Sequence, residues 1–206
     1  MADPATLGVV LAGGRARRLG GSDKTRIHVG GLSILERTLE RLRPQCAAVI
    51  INANDAERFA ASGLPVVADS VPDFAGPLAG ILAGLDWTAK NAPDIAWLVS
   101  VSGDSPFLPR DLVARLHQAR VEAGATIACA RSNERVHPVV ALWPVALRED
   151  LRRALNEGMR RVRDFSARYP LATADWPAAP VDPFFNVNTS EDVTEAERLA
   201  ARYPQA

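Results

Sequence analysis

Between Leu11 and Thr25 the chain reads LAGGRARRLGGSDKT, four glycines, three arginines and a lysine directly after the apolar run Leu7–Val10. Glycine lets backbone N–H groups close around an anion, and Arg15, Arg17, Arg18 and Lys24, with Arg26 just beyond, add formal positive charge. A phosphate ligand suits this composition; a flexible solvent-facing loop is the other reading that the residues allow. Two phosphate loops are excluded. Lys24 follows Asp23 where a P-loop requires glycine, and no GxGxxG spacing is present.

Two further stretches carry groups able to do chemistry. In VSVSGDSPFLP (Val99–Pro109) an apolar strand delivers a single carboxylate, Asp104, and Ser105-Pro106 then stops the strand. A hard carboxylate there suits Mg²⁺ shared with substrate phosphates; a turn aspartate bonding its own backbone is the alternative. In FFNVNTSED (Phe184–Asp192), Asn186 and Asn188 alternate along an extended stretch, which puts both amides on one side. The alternative there is an ordinary loop before a helix cap.

The elements that must position these groups follow from hydrophobic patterning. Leu7–Leu11, Ala47–Asn52, Pro65–Asp69, Ile95–Asp104 and Ala125–Ala130 read as buried strands. Between them, Ser33–Leu42 reads as a helix capped by Ser33, GPLAGILAGLDWTA as an apolar helix opened by Pro77, and PRDLVARLHQARVEAG as a helix closed by Gly124. Apolar strands alternating with helices predict an α/β fold, a mostly parallel, Rossmann-like sheet covered on both faces in a three-layer α/β/α sandwich. Ligands of such sheets sit beyond the carboxyl ends of the strands, where the glycine-rich stretch begins. After residue 130 the rhythm changes. Asn133–Trp143 predicts a β-turn-β or edge insertion, because Pro138 cannot donate to a ladder. Two helical stretches follow, PVALREDLRRALNEG and MRRVRDFSARY, then a short strand near Leu171–Asp175. A last helix is capped by Thr189 with Asp192 in the capping-box position.

The 206 residues carry a formal net charge of zero, which argues against a general nucleic-acid binder. Cys46 and Cys129 share no metal-binding spacing and sit in apolar surroundings, as two buried, reduced thiols would. Asp3 stands where a signal peptide would be basic, and no apolar run approaches a membrane span, so a cytoplasmic protein is expected.

LAGGRARRLGGSDK resembles the xLAGGxxxRMGxxK signature of the nucleotidyltransferases that activate sugars, terpenoid precursors and pterins. NAND, ADSVPDFAGPLAGI, SVSGDSPFLP, NERVHPVVAL, GMRRV and FFNVNTSEDV then resemble, in that order, the molybdenum cofactor guanylyltransferase branch. Leu19 in place of methionine and GDSP in place of CDTP are departures that remove no charged or coordinating group. The resemblance implies one nucleotidyltransferase domain over 1–206 with the nucleotide-diphospho-sugar transferase fold. Its part up to about residue 130 would bind nucleotide, and 131–206 would bind the acceptor.

It implies transfer of GMP from GTP to molybdopterin, with Mg²⁺ as cofactor. GTP would be held by Leu11, Ala12, Gly13, Gly14, Arg15, Lys24, Asn52 and Asp69. Asp104 would bind the metal, Lys24 would meet the triphosphate and Arg18 would neutralise departing pyrophosphate. His137, Arg160, Arg161, Asn186 and Asn188 would face the acceptor. No base is needed, since the attacking phosphate is already ionised, and no Ser-His-Asp arrangement is apparent in a chain with three histidines. Implied partners are a molybdenum-insertion protein and molybdoenzyme chaperones, with neither nucleic acid nor membrane. A CTP-using sister enzyme and a non-catalytic nucleotide-binding regulator are the alternatives.

Overall fold

The computed structural model describes residues 4–13, 27–71 and 76–205. Strand β1 (Thr6–Leu11) lies inside the sheet. It pairs in parallel with β4 (Ala48–Asn52) on one side and β6 (Trp97–Ser102) on the other. With β5 (Val66–Val67), β7 (Ile127–Ser132), β8 (Arg135–Pro144) and β9 (Leu171–Trp176) the order is β5-β4-β1-β6-β8-β7-β9. Every pairing in it is parallel except those of β8, which runs antiparallel to both neighbours.

The period of two along β1 sorts its side chains into two cores. Leu7 and Val9 pack with α2 (Pro77–Asn91), α4 (Arg148–Asn156) and α5 (Val162–Ser166). Val10 and Ala12 pack on the other face with α1 (Ile34–Leu42) and α3 (Leu112–Glu122). These are the two covering layers expected from the apolar strands. A third cluster joins α6 (Ser190–Arg202) to the small hairpin of β2 (His28–Val29) and β3 (Leu32–Ser33), with Phe107, Val181 and Val187. Ser33 caps α1 as expected: its hydroxyl accepts from the Glu36 N–H, and Glu36 returns a carboxylate to the Ser33 N–H.

The hairpin predicted around Asn133 forms, with Asn133 and Glu134 both left-handed (φ 46° and 62°), the backbone that a two-residue turn between strands requires. Its expected edge position is corrected. β8 lies inside the sheet, and Pro138 is tolerated because the β7–β8 register jumps there, from Cys129 opposite Ala141 to Ala130 opposite His137. Pairing with β6 has also ended by Ala141, so Pro138 owes no ladder bond on either side. The helix read over MRRVRDFSARY shrinks to α5, since Arg161 is extended (φ −99°, ψ 126°). The Pro65–Asp69 strand shrinks to two residues, freeing Asp69 from the ladder.

Both thiols are unbridged. Cys46 Sγ packs over Gly8, where an added Cβ would lie 3.1 Å from it, and Cys129 is fully buried in β7. Burial pushes each thiol up to about 12. Alkylation by iodoacetamide at pH 8 is therefore expected to be roughly a thousandfold slower in the folded protein than in the urea-unfolded chain, as peptide mass spectrometry would resolve.

Candidate active site at the carboxyl edge of the sheet

Three strand ends converge. As β1 leaves the sheet, the Ala12 N–H donates to the Asn52 carbonyl (2.9 Å) and the Leu11 carbonyl accepts from the Gly103 N–H (3.0 Å). These bonds hold the start of the glycine-rich stretch between the ends of β4 and β6. They use Leu11 O and Ala12 N, and Gly13, the next residue, is exposed. Gly14, Arg15, Arg17, Arg18 and Lys24 lie outside the described residues.

On the β4 side, Asn52 is 4% exposed. Its amide donates to the Val67 carbonyl (3.1 Å) and to Asp69 Oδ1 (3.0 Å). Asn54 completes the clamp: its amide donates to Asp69 Oδ2 (3.1 Å), and its Oδ1 accepts from the Asp69 N–H (2.9 Å). Each Asp69 oxygen thus takes one amide proton and keeps acceptor capacity. Asn52 Oδ1 sits hard against α2, where a Cβ on Gly80 would come within 2.2 Å of it. Asn52 and Asp69, taken separately from the sequence, form one unit.

On the β6 side, the Ser102 hydroxyl donates to Asp104 Oδ1 at 2.5 Å. The Asp104 carbonyl accepts from the Val187 N–H (3.0 Å), and the Ser105 hydroxyl donates to Asn186 Oδ1 (2.7 Å). The NVN segment is therefore docked on the Asp104 turn. Val187 is fully buried, with exposed Asn186 and half-buried Asn188 on either side of it. Asn188 and Thr189 both donate backbone N–H groups to Asp192 Oδ2, and the Thr189 hydroxyl accepts from the Asp192 N–H. Thr189→Ala is expected to cost about 1 kcal/mol of stability, readable in urea unfolding.

Among the described residues no group of three or more His, Cys, Asp or Glu side chains stands together to hold a metal. Asp104 brings one carboxylate to this edge, and Asn186 Oδ1 already accepts from the Ser105 hydroxyl. A lone carboxylate fits a hard divalent cation only where phosphates and water supply most of the other ligands.

On the far side of β6 lies a cluster that the sequence reading missed. His137 Nε2 is 2.8 Å from Ser132 Oγ, and Ser132 Oγ donates to Asp182 Oδ1 at 2.9 Å. Serine, histidine and aspartate do meet, against expectation, but serine stands in the middle and is 1% exposed. Its proton goes to the carboxylate, so this is no nucleophile relay, in which histidine must stand between the other two. The His137 ring lies against Phe184 (4.7 Å between centroids), and burial lowers its pKa. Arg160 donates to the Leu155 and Met159 carbonyls at the end of α4, and its own carbonyl comes within 3.8 Å of a Cβ built on Gly76. Arg161 is exposed ahead of α5.

Residues 8–172 match the family model of the MobA-like NTP transferase domain. The chain belongs to that family. It is 60% identical over 200 residues to a molybdenum cofactor guanylyltransferase of Nitrobacter hamburgensis, covering 96% of each. Among solved structures, it resembles molybdopterin-guanine dinucleotide biosynthesis protein A of Archaeoglobus fulgidus at TM-score 0.74 and 23% identity, covering 96% of this chain and 99% of that one. A Mycobacterium tuberculosis protein crystallised with manganese superposes at TM-score 0.66 and 19% identity, over 96% of this chain and 100% of its own. The fold is thus the nucleotidyltransferase fold, and as a family member the chain is a nucleotidyltransferase. No helix among the described residues is long and apolar enough to cross a membrane.

The residues that sequence reading missed are Ser102, Ser132, Asn54 and Asp182. The signal for Ser102 was its spacing of two from Asp104 at a strand end; Ser132 and Asp182 stand fifty residues apart and gave none.

Proposed function

We propose that the chain transfers GMP from GTP to the terminal phosphate of molybdopterin. A phosphate oxygen of the acceptor bonds to the α-phosphorus, the bond to the β-phosphate oxygen breaks, and pyrophosphate leaves. The observation that carries this reading is the shared edge. The Asp69 clamp and the Asp104 turn, with Asn186 and Val187 bonded to it, flank the Leu11–Gly13 exit, in a chain whose relative is named for guanylyl transfer.

Each residue then has a task. Guanine presents N1–H and N2–H donors side by side, and the Asp69 carboxylate, held by Asn52 and Asn54, is an acceptor for them. Cytosine presents only one exocyclic donor group. Lys24, Arg15 and Gly14 would meet the triphosphate, and Arg18 the departing pyrophosphate. Asp104 would hold Mg²⁺, with Asn186 or Asn188 completing the shell. When bound, the cation neutralises charge on the phosphate oxygens. The nucleophile arrives ionised, so the chain's own work is to align two anions and screen their repulsion. His137, Arg160 and Arg161 would lie toward the acceptor, which makes residues up to about 130 the nucleotide half and 131–206 the acceptor half. Two free thiols suit a reducing cytoplasm, and the product's onward route implies contact with a molybdenum-insertion protein and molybdoenzyme chaperones.

The test is pyrophosphate release with Mg²⁺ and molybdopterin, comparing GTP, CTP and ATP. GTP-selective release is expected. Preference for CTP would keep the chemistry and move the base assignment to the cytidylyl branch. GTP binding without release would leave a carrier or regulator.

A further inference from the structure

The His137–Ser132–Asp182 cluster is built more tightly than a surface contact needs. Asp182 Oδ1 accepts twice, from the Ser132 hydroxyl (2.9 Å) and from the Phe184 N–H (2.9 Å). The Asp182 carbonyl accepts from the Phe185 N–H (3.1 Å). One residue therefore turns the chain into the segment Phe184–Asn188 and, through Ser132, ties that segment to the end of β7. The far end of the segment is bonded to Asp104 through Val187 and to Ser105 through Asn186. Phe184, between the two anchors, packs on His137 and edge-on to Trp176 (5.3 Å).

We infer that Asp182 is a positioning residue for the acceptor side of the site, acting through Ser132 on His137 and through the Phe184 N–H on the asparagine segment. The inference rests on the guanylyl-transfer reading above. The proton arrangement follows from valence. A carboxylate only accepts, so the single hydroxyl proton of Ser132 is committed to Asp182. Ser132 can then only accept from His137, which must carry its proton on Nε2. Asp182 thus fixes the imidazole tautomer at second hand, as well as the path of the backbone that carries Asn186. This is not a hydrolytic centre: Ser132 is buried, its proton points at Asp182, and His137, donating to its oxygen, cannot act as its base.

The experiment combines imidazole ¹⁵N NMR with steady-state kinetics on Asp182→Ala, Asp182→Asn and Ser132→Ala. Wild type is expected to show the Nε2–H tautomer at His137. Asp182→Asn, whose Oδ1 can take the same two donors, should keep that tautomer and rescue the kinetics. Asp182→Ala frees the Ser132 proton to turn toward His137, so Nδ1–H should appear. KM for molybdopterin should then rise about tenfold while KM for GTP stays within about twofold. Ser132→Ala, which leaves the Asp182–Phe184 bond in place, should raise the acceptor KM with little change in Tm, which keeps the test decisive if Asp182→Ala does not fold. An Nδ1–H tautomer in wild type, or an acceptor KM unchanged in either alanine variant, would overturn the inference. Absence of pyrophosphate release from the wild type would instead sink the transferase reading, with the tautomer still reporting on the geometry.

Discussion

Asp104→Ala is expected to lower guanylyl transfer at least about a hundredfold while leaving the fold intact. The side chain bonds to the Ser102 hydroxyl and lies half-buried at the edge, whereas the bond that docks Val187 comes from the Asp104 backbone carbonyl. Removing the carboxylate therefore leaves the NVN segment in place and takes away the side chain proposed to hold a cation at this end of β6. The loss should fall on kcat, because a cation held by Asp104 would act on charge that grows as pyrophosphate departs. GTP binding measured without a divalent cation should change little. Ser102→Ala is the companion. It keeps the carboxylate but frees its orientation, so a loss of about tenfold is expected, the usual scale for a residue that aims a ligand. Both are read by pyrophosphate release at saturating GTP, with thermal melts to confirm an unchanged fold. Retention of full activity in Asp104→Ala would remove Asp104 from the metal site.

The local half of this architecture was legible in the residues. Apolar runs bounded by glycine and proline marked β1, β4 and β6. Ser33 and Thr189 marked helix starts that the structure caps through Glu36 and Asp192. The exit of the glycine-rich stretch at a carboxyl edge followed from the alternation of strands and helices alone. What failed was non-local. Pro138 argued for an edge strand because a lone sequence does not reveal that the partner register jumps opposite it. Asp69 looked like a strand end. Its clamp by Asn52 and Asn54 exists only because β5 pairs with β4 in a register that sets Val67 beside Asn52. Ser132 ends the β7–β9 ladder opposite Trp176 and meets Asp182 from the loop beyond β9, a juxtaposition made by topology and carried by no motif. Arg161 adopts extended backbone within an otherwise helical pattern, so α5 starts late.

Gly80→Ala is expected to be the most damaging single added methyl group among the described glycines. The added Cβ would lie 2.2 Å from Asn52 Oδ1, 2.8 Å from Asn52 Cγ and 2.8 Å from Leu11 Cδ2. Leucine's end can rotate aside; the asparagine cannot do so cheaply. Its amide is bonded to the Val67 carbonyl and Asp69, and the side chain is 4% exposed. Overpacking of this kind costs about 1–3 kcal/mol, and here the strain is relieved by pushing Asn52 off Asp69. The Asp69 carboxylate then loses one of its two amide anchors, and GTP affinity should fall about tenfold or more. Asn52→Ala in the same chain separates strain from recognition. It removes the atoms that the new methyl strikes, so the double variant should be more stable than the sum of the two single losses. Its GTP affinity should stay low, because the Asn52 anchor on Asp69 is lost in either background. Urea unfolding gives the first comparison and calorimetric titration with GTP the second. Strict additivity in stability would show that Asn52 does not take up the Gly80 methyl, and recovery of affinity in the double variant would remove Asn52 from nucleotide recognition.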